Sequence, residues 1–196
     1  MAEPLVSVII PVFNRADLVG RAIASVLVQD MASFEVIVVD DASTDAIDRA
    51  LEVSGDPRLR VERHRINRGA GAARNTGVRA ARGAYVAFLD SDDEWLPNKL
   101  SRQLALLKDT DAHVAGVVTG FVIDRGIGSE IQVVIPSLHK ELLFRLLWGC
   151  DLSPGATLLC RRACFKEVGY FDEDMRRLED WDWLLRFAQR FELALV

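Results

Sequence analysis

Residues 84–95 read Ala-Tyr-Val-Ala-Phe-Leu-Asp-Ser-Asp-Asp-Glu-Trp, a buried-strand pattern that runs directly into an acidic cluster. The first part, 85–89, is almost wholly apolar, as expected of a strand that is covered on both faces. The second part holds Asp90, Asp92, Asp93 and Glu94. Carboxylates this close raise one another's pKa, so a cation, or an anionic ligand that brings its own metal, would stabilise the cluster.

The chain before and after this stretch alternates strand-like and helix-like patterns up to residue 107. Strands are predicted over 5–10, 34–39, 59–63 and 85–89. Helices are predicted after Asn14 or Asp17 to about residue 29, over about 44–53, after the glycine-rich segment 67–71 to about residue 83, and over 97–107. This alternation predicts an α/β fold with a Rossmann-like, mostly parallel mixed sheet, flanked by helices in a three-layer α/β/α arrangement.

Turn-forming and capping residues predict where the first elements end. Pro11 is expected to end the first strand, and Asn14 or Asp17 to cap the helix that follows it. Asp41 or Ser43 is expected to cap the next helix, because short polar side chains satisfy free backbone N–H groups at helix starts.

The pattern changes beyond residue 110. Strands over 114–123 and 131–135 are expected to form a hairpin, and Ser137 is expected to cap a leucine-rich helix that ends at Gly149. A further strand is predicted over 156–160, with helices over 162–168 and 179–190. Residues 191–196 resemble a strand that has only begun, so we expect the chain to be truncated there.

Polar clusters follow each of the first four predicted strands. They are Asn14, residues 40–45, residues 64–69 and residues 90–93. The carboxyl ends of parallel strands lie at one edge of a sheet, and open α/β sheets bind their ligands in the crevice at that edge. The sequence therefore predicts a ligand site that all four clusters share.

Composition excludes several classes of protein. The net charge of −5 argues against a nucleic-acid-binding surface. No apolar run reaches the roughly 18 residues of a membrane-spanning helix, and the N-terminus lacks the pattern of a signal peptide. Three cysteines are too few and too irregularly spaced for a disulfide framework. We expect a cytoplasmic protein with reduced cysteines, with peripheral association at the inner face of the membrane as an open alternative.

Asp90-Ser91-Asp92 is a candidate metal-binding motif. Side chains two residues apart in an extended chain point the same way, so both carboxylates can face one cation. Oxygen ligands of this kind suit Mg²⁺ or Mn²⁺, which bind one or two carboxylates together with substrate phosphates. The alternative reading is a solvated acidic turn.

Two further clusters carry possible chemistry. Arg68 and Arg74 are the expected counter-charges of the acids, and Arg74 lies among small residues where it could meet a phosphate; the alternative is a surface arginine. Residues 179–183, Glu-Asp-Trp-Asp-Trp, combine acids with aromatic rings, as sugar sites do. Alternatively they form the start of an amphipathic helix with its tryptophans in the core.

Five motifs occur in a fixed order along nearly the whole chain. They are Val6-Ser-Val-Ile-Ile-Pro-Val-Phe-Asn14, Val38-Val-Asp-Asp-Ala-Ser-Thr-Asp45, Asn67-Arg-Gly69 with Ala73-Arg-Asn-Thr-Gly77, Phe88-Leu-Asp-Ser-Asp-Asp93 and Glu179-Asp-Trp181. Together they resemble the family 2 glycosyltransferases of the GT-A fold. The resemblance implies inverting transfer of a sugar from a nucleotide diphosphate sugar, expected to be a UDP-sugar, with a divalent metal.

The resemblance also implies roles for individual residues. Pro11, Phe13 and Asp41 match base-binding positions, with Phe13 standing where tyrosine is more usual. Arg74 matches a position near the phosphates, and Asp90 matches a position at the ribose. The donor-side residues are Pro11, Phe13, Asn14, Asp40, Asp41, Arg68, Arg74, Asp90 and Ser91.

The metal ligand and the acceptor side are implied in the same way. Asp92 matches the metal ligand and Asp180 the catalytic base, while Glu179 and Trp181 are expected on the acceptor side. We expect one continuous domain, with a nucleotide-sugar-binding half over 1–96 and an acceptor-binding half over 97–196. The expected acceptor is a saccharide or a lipid-linked molecule of cell-envelope polysaccharide synthesis.

Two other functions stay open at this point. One is a catalytically silent domain that binds sugar nucleotides. The other is a sugar nucleotidyltransferase, which would need a glycine-rich, basic phosphate loop after its first strand. Residues 11–14, Pro-Val-Phe-Asn, contain neither glycine nor lysine.

Overall fold

The computed structural model describes residues 3–52, 55–126, 130–137 and 142–196. The strands are β1 Val6–Val12, β2 Phe34–Asp40, β3 Leu59–Arg63, β4 Tyr85–Phe88, β5 Val114–Val118, β6 Phe121–Ile123, β7 Gln132–Val134, β8 Leu159–Arg161 and β9 Glu192–Leu195. The helices are α1 Ala16–Leu27, α2 Ile47–Glu52, α3 Ala70–Ala80, α4 Lys99–Lys108, α5 Leu142–Leu146, α6 Pro154–Thr157, α7 Cys164–Val168 and α8 Glu179–Phe187.

The main sheet of the described residues has seven strands in the order β3-β2-β1-β4-β8-β5-β9. The first four strands in this order are mutually parallel, β8 runs antiparallel to both of its neighbours, and β9 is parallel to β5. One hydrophobic cluster packs α1, α2 and α4 on one face of the sheet, and a second packs α3, α5, α7 and α8 on the other. The predicted mostly parallel, three-layer α/β/α fold is confirmed.

Strand β1 lies at the centre of the parallel part, and all seven of its residues are buried. The prediction that Pro11 ends this strand was wrong, because Pro11 pairs in register with Val39 of β2. On the other side, the pairing of β1 with β4 ends at Ile9, whose carbonyl accepts the N–H of Leu89. Pro11 faces that same side, beyond the last rung, so its missing N–H removes no bond from the ladder.

The predicted cap of α1 was also wrong. The N–H of Ala16 donates to Asp45 Oδ2 at 2.8 Å, so the cap comes from the loop after β2 rather than from Asn14 or Asp17. Asn14 instead accepts the N–H of Thr44 on its side-chain oxygen at 2.8 Å. These bonds hold the two polar loops after β1 and β2 against each other.

Several later elements differ from their predicted bounds. The predicted strand over 156–160 begins instead as the short helix α6, with Pro154 at its first position, where a missing N–H costs nothing. The predicted strand over 114–123 divides at Thr119–Gly120. Within the described part of the chain, β5 joins the main sheet and β6 pairs with β7 in a separate hairpin. The start of the helix predicted after Ser137 lies outside the described residues.

The described residues contain no helix long and apolar enough to cross a membrane. Cys150, Cys160 and Cys164 are all free thiols, and the latter two are buried in the core. The prediction of reduced packing cysteines agrees with this arrangement.

The contact between α3 and β1 depends on a glycine, and this generates a stability prediction. A Cβ on Gly77 would lie 2.4 Å from Ile9 Cγ2, far inside van der Waals contact. We expect Gly77→Ala to lower the free energy of unfolding by about 1–3 kcal/mol, because α3 must shift away from the central strand. Urea denaturation of the two proteins measures the difference.

Gly20 provides the matched control. It is an exposed residue within α1, and an added Cβ would meet no atom within 4 Å. Gly20→Ala should therefore raise the free energy of unfolding by about 0.5–1 kcal/mol through helix propensity alone. Equal effects of the two substitutions would contradict the proposed packing of α3 on β1.

Candidate functional site

A cleft of about 480 Å³ opens at the carboxyl ends of β1, β2 and β4, beside the start of α3. This volume is typical of small-molecule sites. The cleft is lined by Pro11, Val12, Phe13, Arg15, Asp41, Asn67, Gly69, Ala70, Ala73, Arg74, Asp90, Ser91 and Asp92. A cleft is therefore present at the edge of the sheet where the sequence predicts a ligand site.

Most of the predicted donor-side residues line this cleft together with the predicted metal ligand, Asp92. The donor-side residues among them are Pro11, Phe13, Asp41, Arg74, Asp90 and Ser91. Asn14, Asp40 and Arg68 lie outside the lining and form hydrogen bonds within the loops that border the cleft. Asn14 ties the loop after β1 to the loop after β2, and Asp40 accepts the N–H of Ser43 at 2.9 Å.

Asp41 forms one end of the cleft, and its carboxylate holds the loop that leads into α3. Its oxygens accept the N–H of Gly69 at 2.7 Å and the N–H of Arg68 at 2.9 Å. They also bond the ring Nδ1 of His64 at 2.7 Å. The prediction that Asp41 or Ser43 caps α2 was wrong. Asp41 bonds backbone from a distant loop, and the hydroxyl of Ser43 accepts the N–H of Asn14.

The acidic loop after β4 forms the opposite end. Asp92 is half-exposed and pairs with Arg15, a cleft residue that the sequence analysis did not select. Partial burial and the charges of Asp90 and Asp92 raise the pKa of Asp93 to about 6. Excess negative charge is thus concentrated at this end, as the acidic pattern predicted.

Arg74 lies between the cleft and the beginning of α8. Its guanidinium donates to Asp90 Oδ1 at 2.7 Å and to Glu179 Oε1 at 2.6 Å, and the residue is 5% exposed. Burial alone would lower the pKa of Arg74, but the charges of Asp90, Glu179 and Asp180 outweigh it and hold that pKa above its ordinary value. The alternative reading of a surface arginine was wrong.

Glycines allow the backbone to approach this ion pair closely. A Cβ on Gly71 would lie 3.2 Å from Glu179 Cγ and from the carbonyl oxygen of Asp172. A Cβ on Gly155 would lie 2.4 Å from Asp90 Oδ2. The start of α3 and helix α6 therefore pack against the two carboxylates that bind Arg74.

Asp180 lies in the first turn of α8, on the far side of Arg74 from the cleft. It borders a narrow gap together with Arg74, Pro154 and Gly155. Burial raises the pKa of its carboxyl group, although Arg74 and the N–H of Trp181 act in the opposite direction. A half-buried carboxylate of raised pKa that only Arg74 separates from the cleft is suited to accept a proton.

The two tryptophans of this helix differ in their surroundings. Trp183 is fully buried and stacks on Phe165 with ring centroids 4.7 Å apart, so it belongs to the core. Trp181 is half-buried and donates its ring N–H to the carbonyl of Leu146. Glu179 is 7% exposed and faces Arg74 rather than an open acceptor surface.

The residues at the acidic end of the cleft fit a divalent cation whose remaining ligands come from a bound substrate. Among the described residues, no preformed group of three or more His, Cys, Asp or Glu side chains could hold a metal. Asp90 and Asp92 nevertheless bring carboxylate oxygens to the cleft. Mg²⁺ commonly binds through one or two carboxylates plus substrate phosphates and waters, and this donor set provides the protein's share.

Comparison with known proteins agrees with the fold and the motifs. A family model described as "Glycosyl transferase family 2" matches residues 7–169. A putative colanic acid biosynthesis glycosyl transferase of Escherichia coli, WcaA, is 33% identical over 96% of this chain and 68% of its own length. A putative teichuronic acid biosynthesis glycosyltransferase of Bacillus subtilis, TuaG, is 43% identical over 76% of this chain and 60% of its own length.

Solved structures share the fold. The crystal structure of S. aureus TarS in complex with UDP-GlcNAc superposes with a TM-score of 0.79 at 25% identity, over 97% of this chain and 55% of that chain. A mannosyltransferase from Pyrobaculum calidifontis, solved with GDP-Man and Mn²⁺, superposes with a TM-score of 0.73 at 23% identity over all of this chain and 55% of its own. This chain thus spans 55–68% of the length of WcaA, the TarS chain and the mannosyltransferase. Its fold is the GT-A fold, and it belongs to glycosyl transferase family 2.

Proposed function

We propose that this chain transfers a sugar from a nucleotide diphosphate sugar, a UDP-sugar in our expectation, to an acceptor hydroxyl with inversion at the sugar carbon. The proposal depends mainly on the contacts of Arg74. This residue binds Asp90 of the cleft and Glu179, the neighbour of Asp180 in the first turn of α8. A donor in the cleft and a base across Arg74 would then share one reaction centre.

The donor assignment rests on the polarity of the cleft. Asp41 and Phe13 border the end where a nucleobase could contact a carboxylate and an aromatic ring. Asp90 and Asp92 border the other end, and we assign Asp90 to the ribose and Asp92 to the metal. When bound there, Mg²⁺ or Mn²⁺ would neutralise charge that develops on the leaving diphosphate.

The proposed reaction is a single displacement. The acceptor oxygen attacks the anomeric carbon from the face opposite the phosphate, while the bond from that carbon to the phosphate oxygen breaks. Asp180 accepts the hydroxyl proton during this attack. Two carboxylates on opposite sides of the sugar therefore have different tasks, as in inverting sugar hydrolysis, with a hydroxyl in place of water.

The relatives named above suggest the biological setting. Both bacterial proteins carry names from polysaccharide biosynthesis, so we propose a saccharide or lipid-linked acceptor of the cell envelope. We also propose that residues 1–96 bind the donor and residues 97–196 the acceptor, within one continuous domain. A cytoplasmic location, free or at the inner membrane face, suits such a donor.

Asp92→Asn tests the metal assignment. UDP binding to the unmodified protein should strengthen at least tenfold when Mn²⁺ is added, because Asp92 would hold the cation and the cation would neutralise charge on the diphosphate. In Asp92→Asn this strengthening should largely disappear, as measured by isothermal titration calorimetry with and without Mn²⁺.

Glu94→Gln is the matched control for that experiment. Glu94 lies two residues from Asp92 but is exposed and pairs with Arg21 outside the cleft lining. This variant should keep the full response to Mn²⁺. An unchanged response in Asp92→Asn would refute the metal role of Asp92.

Asp180→Asn tests the base assignment. Transfer should fall by roughly 10²–10⁴-fold, the usual contribution of a general base, while UDP affinity stays unchanged. Because only the ionised form accepts a proton, the rate should rise with pH through the pKa of Asp180, which lies above its ordinary value of 3.8. UDP release from a UDP-sugar with saccharide acceptors measures the rate.

Asp182→Asn serves as the control on the same helix, since Asp182 pairs with Arg186 at 2.7 Å and lies outside the lining of both the cleft and the gap. It should retain activity. Full transfer by Asp180→Asn would exclude Asp180 as the base.

A further inference from the structure

His64 has a buried side chain that the proposed reaction does not use. It follows β3, and its side chain is 7% exposed. Its Nδ1 lies 2.7 Å from Asp41 Oδ1, and its Nε2 lies 2.8 Å from the hydroxyl of Thr76 on α3. The ring thus spans the ends of two strands and a helix at the Asp41 end of the cleft.

The direction of these two bonds follows from their partners. An ionised carboxylate only accepts hydrogen bonds, so the proton on the Asp41 side belongs to Nδ1. In the neutral ring, Nε2 then accepts the hydroxyl proton of Thr76. Thr76 therefore sets the ring so that its donor points at Asp41.

Counting donors shows how little of Asp41 is left for a ligand. Oδ1 receives the His64 ring N–H and the Arg68 N–H, at 2.7 and 2.9 Å. Oδ2 receives the Gly69 N–H at 2.7 Å and a longer contact from the Arg68 N–H at 3.1 Å. A carboxylate has about four acceptor positions. Since Arg68 offers a single proton, one position remains, on Oδ2.

We propose that His64 is a specificity-determining residue that makes Asp41 read a single N–H of the nucleobase. This rests on the proposed function, in which the base lies against Asp41. Uracil and thymine each present one ring N–H between two carbonyls. Guanine presents two parallel N–H groups and needs both carboxylate oxygens, of which His64 and the Arg68 N–H already fill Oδ1. The site therefore selects uridine or thymidine diphosphates over guanosine diphosphate.

The selectivity of the unmodified protein is the first measurement. Titration calorimetry in the presence of Mn²⁺ should give UDP at least about tenfold tighter binding than GDP, because the second guanine donor is left unpaired. Equal affinities for UDP and GDP would overturn the inference. Binding of neither nucleotide would instead refute the proposed donor site itself.

Two variants of His64 then separate specificity from folding. His64→Leu removes the donor to Oδ1, so the ratio of GDP to UDP dissociation constants should fall at least threefold, with GDP gaining affinity. His64→Asn places an amide N–H near the position of Nδ1 and should keep the ratio of the unmodified protein. If both variants lose affinity for both nucleotides equally, or if His64→Leu keeps the original ratio, His64 only supports the fold and the inference fails.

Discussion

The buried guanidinium of Arg74 is the interaction on which the arrangement of the site depends. A charged group with 5% exposure is costly unless its partners are well placed, and Asp90 and Glu179 provide them at 2.6–2.7 Å. The loop after β4, the first helical turns of α3 and the start of α8 must therefore meet at one point. The glycines at positions 71 and 155 make that meeting sterically possible.

This ion pair also joins two regions with different chemistry. The cleft on one side is bordered by carboxylates that suit a metal-bound diphosphate, and the gap on the other side holds a carboxylate whose pKa burial raises. The positive charge of Arg74 between them favours the ionised form of Asp180, because its attraction lowers the pKa that burial raises. The same residue therefore positions Asp90 and tunes the group that we assign as base.

The sequence allowed the sheet and the position of the site to be predicted, because strand patterns and polar strand ends are local signals. It did not reveal that Asp45 caps α1, that Glu179 is buried against Arg74 or that His64 holds Asp41. Those contacts join residues 23 to 105 positions apart. Local patterns carry no information on such pairs. The prediction that Pro11 ends β1 failed for a related reason. A proline fits within this strand because the pairing with β4 already ends at Ile9, and the sequence around Pro11 does not show where that pairing ends.

Asp90 and Glu179 bind one shared guanidinium, which connects the cleft to the helix that carries the proposed base. A double-mutant cycle of Asp90→Asn and Glu179→Gln, read as free energies of unfolding in urea, tests it most directly. We predict that the double variant loses at least about 0.5 kcal/mol more free energy of unfolding than the two single variants lose together, because Arg74 then loses both partners. Additivity within about 0.3 kcal/mol would contradict it.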